Sequence, residues 1–81
     1  MYNREFFKQF RDEQVPPNFE AFKAEVINQQ VNLRTVRFGT YIGKVMAVDV
    51  SDYGNFIMLK DNRGNYSKIF LSEAFGLEII S

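Results

Sequence analysis

"GKVMAVDVSDYGNFIMLKD", residues 43–61, decides the fold of this chain. It runs apolar, carries two aspartates, a glycine and an asparagine, then runs apolar again. Residues 41–50, "YIGKVMAVDV", are rich in β-branched side chains and apolar on both faces toward their end, as a central strand is. "SDYG" is turn material and "NFIMLKD" reads as the next strand. The stretch is therefore two strands joined either by a plain turn or by a loop that holds something.

Working outward, the same texture continues on both sides. Upstream, "NLRTVRF" alternates, with Val36 and Phe38 two apart, and "GT" is a short turn. Downstream, "NRG" is a hairpin loop in which Gly64 suits a left-handed position. "NYSKIFL" is a fourth strand, "SEAFG" a short turn or one turn of 3₁₀ helix, and "LEII" a fifth strand. Before the strands lie two helical stretches. In residues 3–13, Phe6, Phe7 and Phe10 form one apolar stripe and Asn3 is placed to cap. The first proline of "VPPN" breaks that helix. Residues 19–30 follow, with Asn18 as cap and Phe19, Phe22 and Val26 on one face.

Five short strands in sequence favour a small, strongly bent barrel, because a flat meander leaves one face uncovered. Gly39, Gly43 and Gly54 permit the bends. The second helix then caps the barrel. The fold class expected is mostly β with N-terminal helices, a strongly bent five-stranded antiparallel barrel of SH3, OB or Sm type.

Composition narrows the chemistry. With 81 residues the chain is one domain, marginal alone unless it has a dense core or assembles. Apolar residues make up 46% and there are nine Phe, enough material for a core. The absence of Cys rules out disulfides and thiolate metal sites, and the absence of His removes the usual zinc ligand and general base. No nucleophile motif stands out, and Asp49, Asp52 and Asp61 lie around turns, so neither catalysis nor a metal or other cofactor is expected. Ten basic and ten acidic residues balance, which argues against large electrostatic binding but leaves room for a small recognition patch. No signal-type run or 18-residue apolar span appears, so a soluble, cytoplasmic protein without membrane contact is expected.

The segment "VRFGTYIGKVMAVD", with Asp49 six residues after Gly43, followed by "NFIMLKD", resembles the first motif of the Sm/LSm family, which includes bacterial Hfq. The likeness in helix and strand order covers residues 20–80; the motif proper spans 33–61. Two features depart from the family. Asp49 and Asn55 are six apart rather than the usual four, an enlarged loop. The second motif lacks Arg-Gly and His, and Tyr66 and Lys68 only partly echo Hfq. The resemblance implies a single Sm-like domain over 1–81, with an extra helical extension at 1–17, a capping helix at 18–30 and the barrel at 32–80. The extra extension suggests a divergent member of phage or bacterial type.

The family's chemistry carries over residue by residue. The resemblance implies a ring of five to seven subunits that binds single-stranded, uridine-rich RNA through a pore loop, in RNA chaperoning or processing. Tyr53 would stack on a base, Asn55 read a base edge, Asp49 buttress the loop and Lys68 neutralise a phosphate. Without the resemblance, "SDYGN" reads equally as a hairpin turn. In the family the fourth strand of one subunit pairs with the fifth of the next, and "KIFL" and "LEII" are short and almost uncharged, as such edges should be. The alternative is a protein-interaction module on an Sm or SH3-like barrel that has lost its RNA contacts. The Phe6, Phe7 and Phe10 stripe then either docks on its own domain or on a neighbour, or seats in a partner's groove.

Overall fold

A computed structural model of the chain describes residues 2–12 and 16–80. Helix α1 (Arg4–Asp12) forms where the Phe spacing predicts it. Asn3 caps it, its side-chain oxygen accepting the Phe6 N–H at 3.3 Å. Glu5 in the first turn and Arg11 in the last both suit the helix dipole. The expected break before Pro16 falls on residues 13–15, outside the described residues.

Helix α2 (Phe19–Val26) is shorter than its apolar pattern predicts. The Asn18 side chain makes no capping bond. The helix stops because Asn28 takes a left-handed φ of 66°, a conformation that asparagine tolerates. The following residues join the sheet instead: Asn28 N–H donates to the Val45 carbonyl and Val45 N–H donates to the Gln29 carbonyl, both at 2.9 Å.

Five antiparallel strands follow: β1 (Gln30–Thr35), β2 (Thr40–Ser51), β3 (Gly54–Lys60), β4 (Tyr66–Phe70) and β5 (Ala74–Ile79). A 3₁₀ turn, Leu71–Glu73, joins the last two. The sheet order is β4-β3-β2-β1-β5, so β4 and β5 are its edges and the ladder does not close on itself. β1 ends three residues earlier than the alternation of Val36 and Phe38 predicts. The Thr35 hydroxyl accepts the Phe38 N–H at 3.0 Å, and the Thr35 N–H donates to the Gly39 carbonyl at 2.9 Å. That knot pulls residues 36–39 into a loop and leaves Val36 and Phe38 58% and 60% exposed.

β2 is the hinge of the sheet. Its first part, Thr40–Lys44, pairs with β1, and its second, Lys44–Ser51, pairs with β3. The register slips between Val45 and Ala47, so Met46 is the extra residue of a bulge, which bends and twists the strand. Gly43 lies where the bend begins. A Cβ there would stand 2.8 Å from the Lys60 carbonyl oxygen, so only glycine admits that approach.

Alternate residues of the strands form one continuous core with both helices. Val31, Leu33, Val45, Val48, Ile57 and Leu77 are essentially inaccessible, and Phe7, Phe19, Phe22 and Val26 close over them. Phe22 is the centre of the aromatic packing, with its ring 5.0 Å from Phe6, 6.1 Å from Phe7 and 6.2 Å from Phe10. Burial of each such ring contributes about 1.5–3 kcal/mol. The Phe6, Phe7 and Phe10 stripe thus docks on its own domain.

Candidate nucleic-acid interface

The β2–β3 connection is tight rather than enlarged. β2 runs on to Ser51 and β3 begins at Gly54, so only Asp52 and Tyr53 lie between them. The two residues that lengthen the motif are absorbed into the strands. Gly54 has a φ of 128°, which a side chain would strain. The Ser51 hydroxyl donates to the Gly54 carbonyl at 2.9 Å and accepts the Tyr53 N–H at 3.2 Å, so the turn is braced from within. Tyr53 stands at its tip, 88% exposed.

The other three expected site residues part company. Asn55 faces the core across from Val50 and is 3% exposed. Asp49 points the other way, opposite Phe56, and its carboxylate accepts the N–H of its own neighbour Val50 at 2.8 Å. Period-two alternation causes the split, because residues 49 and 55 occupy non-partner positions of one ladder. Lys68 lies on β4 opposite Met58, with its ammonium 4.6 Å from the Phe56 ring centre and 5.5 Å from that of Phe70. At this range a cation is attracted to the ring face. A Cβ on Gly54 would meet the Phe70 ring at 3.9 Å, so the Tyr53 turn abuts the cluster that holds Lys68.

This outer sheet face carries more than the motif singles out. Lys44 pairs directly with Lys60, and the Lys60 ammonium lies 5.7 Å over the Tyr66 ring. Phe56, Met58 and Lys60 on β3, and Tyr66, Lys68 and Phe70 on β4, share the face by alternation. The signal was present in the sequence as two alternating runs, "NFIMLK" and "NYSKIF", whose outer positions are aromatic, Met or Lys.

A cavity of about 360 Å³ lies along β4 and opens beside the 36–39 loop. Phe38, Tyr41 and Phe70 supply apolar walls, and Arg37, Lys68 and Glu73 the charges. Arg37 is held by Glu73, whose hydrogen bonds and then its charge raise the guanidinium pKa further above its ordinary value. The Val36 N–H donates to the Glu73 carbonyl at 2.8 Å, which ties the loop to the turn after β4. The sequence hid this groove because Phe38 reads there as a strand residue.

Comparison with protein-family models, with curated proteins and with solved structures gives no significant match. Among the described residues no three His, Cys, Asp or Glu side chains gather to hold a metal ion, and no helix is long and apolar enough to cross a membrane.

Proposed function

We propose that this chain is a divergent Sm-like protein that binds single-stranded, uridine-rich RNA and acts as an RNA chaperone or in RNA processing. The observation that carries the reading is Tyr53, an almost fully exposed ring on a rigid turn that abuts the Lys68–Phe70 cluster. Exposed rings beside cations suit single strands: stacking contributes roughly 1–3 kcal/mol per base, and a lysine meets the phosphate. Tyr53 is the stacking group and Lys68 the phosphate contact. Asp49 flanks them. Asn55 reads a base only if its side chain turns out of the core, so Tyr53 and Lys68 bear most of the affinity.

The strand order β4-β3-β2-β1-β5, with a bent β2 shared between two neighbours, supports the Sm-like barrel. A sheet that does not close on itself, with β4 and β5 as its outermost strands, supports assembly into a ring of five to seven copies, β4 of one against β5 of the next. Fluorescence anisotropy with labelled oligo-U and oligo-A at low salt tests the RNA reading. Binding to oligo-U that weakens with salt supports it; no binding to either oligomer ends it.

A second reading has its own observation. The β4 groove, with an exposed Phe38 beside Tyr41 and Phe70, suits a protein ligand. On that reading the chain is an interaction module without RNA contacts, and the same anisotropy series stays flat.

A further inference from the structure

The two edges of the sheet are not equivalent. Among the described residues β4 pairs with β3 alone, and no strand pairs with its outer edge. The outer edge of β5 is occupied. Tyr2 forms an antiparallel bridge with Leu77: the Tyr2 N–H donates to the Leu77 carbonyl at 3.0 Å, and the Leu77 N–H donates to the Tyr2 carbonyl at 2.9 Å. Leu77 faces Leu33 of β1 on its other side, so it has no edge left to offer. The Arg4 guanidinium lies 5.2 Å over the Phe75 ring, which carries the cover along the strand.

The chain anchors this cover deliberately. The Tyr2 ring packs 4.5 Å from Phe6 and 4.8 Å from Phe22, and its hydroxyl donates to the Glu25 carboxylate. We propose that the β5 edge is an assembly surface latched by the chain's own N-terminal segment, and that the β4 edge of a second copy competes with Tyr2 for it. The proposal rests on the ring reading above, and names what regulates it.

The competition has a physical basis. A strand edge accepts one partner at a time, because each N–H and C=O on it points one way. The latch is a single residue pair with two hydrogen bonds. The five residues of β4 set against the six of β5 offer a longer ladder, together with cover for Phe38 and Tyr41 in the adjoining groove. The latch has the advantage of being intramolecular, so it wins when the chain is dilute and yields as concentration rises.

The test is native mass spectrometry of the full chain over a concentration series, with Tyr2→Pro and Tyr2→Phe beside it. Tyr2→Pro removes the N–H that serves Leu77 and the ring that anchors the latch. It is expected to reach the mass of an assembled ring at a concentration roughly tenfold lower, as the loss of one bridge hydrogen bond and of the Tyr2–Glu25 hydrogen bond implies. Tyr2→Phe keeps the bridge and the ring packing but loses the Glu25 hydrogen bond, and is expected to fall between the parent and Tyr2→Pro. Amide exchange read on the single-chain form checks the fold of Tyr2→Pro: Leu77 should exchange faster while Val45 and Leu59 stay protected. If parent and Tyr2→Pro assemble at the same concentration, the latch is overturned and the ring stands. If all three stay single chains throughout, the ring and the latch fall together.

Discussion

The inner and outer faces of one sheet are built from the same strands and obey opposite rules. On β3, Asn55, Ile57 and Leu59 are buried, while Phe56, Met58 and Lys60 between them are half-buried on a face that no described element covers. The inner face is closed by Phe7, Phe19 and Phe22, and carries the stability. The outer face tolerates what a stability-driven design would avoid. Lys44 sits directly across from Lys60, and like charges so placed are destabilising. That face keeps three lysines, Lys44, Lys60 and Lys68, beside Phe56, Met58, Tyr66 and Phe70, with Asp49 as the carboxylate opposite Phe56.

The comparison breaks most easily at the centre of the inner face. Phe22→Ala removes the ring on which Tyr2, Phe6, Phe7 and Phe10 all pack, and should cost about 3–5 kcal/mol in urea denaturation. A domain of this size has roughly 4–12 kcal/mol in total, so the loss takes a large fraction of it. A loss below about 1 kcal/mol would show that the helices are not what closes the core.

Gly43→Ala is expected to come next. Its Cβ would press on backbone, the Lys60 carbonyl, and that cannot yield as a side chain end can. Prising β2 from β3 should cost roughly 1–3 kcal/mol, read by the same denaturation midpoint. Unchanged stability would mean that β2 bends at the Met46 bulge alone.

Why some of this was legible in the sequence follows from where the information sits. Helix α1 and all five strands announced themselves because period 3.6 and period 2 are local signals, and Asn3 and Gly64 fill the roles their types suggest. Gly64 takes a φ of 86° in the hairpin. The end of α2 was not legible, since it depends on Val45, some twenty residues away, bonding to residues 28 and 29. The end of β1 was hidden in the Thr35 hydroxyl, which competes with the ladder for the chain. Of the candidate site, the tip of the turn was legible and the rest was not. Which way Asn55 points is a matter of register against β2, and register is fixed by packing that no single stretch contains.

On the outer face the expected effects are on binding rather than folding. Tyr53→Ala touches no packed side chain and should shift stability by no more than about 0.5 kcal/mol. Its affinity for oligo-U should nevertheless fall by roughly 5- to 150-fold, the equivalent of one stacked base. Lys68→Ala should weaken oligo-U and oligo-A alike and lower the salt slope by about 0.7, one phosphate on a single strand. If either substitution cost as much stability as Gly43→Ala, the division of labour between the faces would be wrong.

The smallest expected effect lies at the β3–β4 hairpin, where the faces meet. The Asp61 carboxylate accepts the backbone N–H groups of Asn65 and Arg63, both at 2.9 Å. The Asn65 bond first, opposed in part by burial, holds its pKa below the ordinary 3.8. A carboxylate depressed in the folded state binds fewer protons there than in the unfolded chain. Its contribution is therefore complete above the unfolded value, and is lost as pH falls from 3.8 toward the lower folded one. Asp61 lies at the surface of the hairpin, where solvent screens its charge, so the effect is modest. Asp61→Asn keeps an oxygen acceptor and loses the charge. The melting temperatures of parent and variant should differ by a constant amount above about pH 5 and converge below the carboxylate range. A gap that stays constant through acid would place the hairpin's stability in its φ angles and not in this charge.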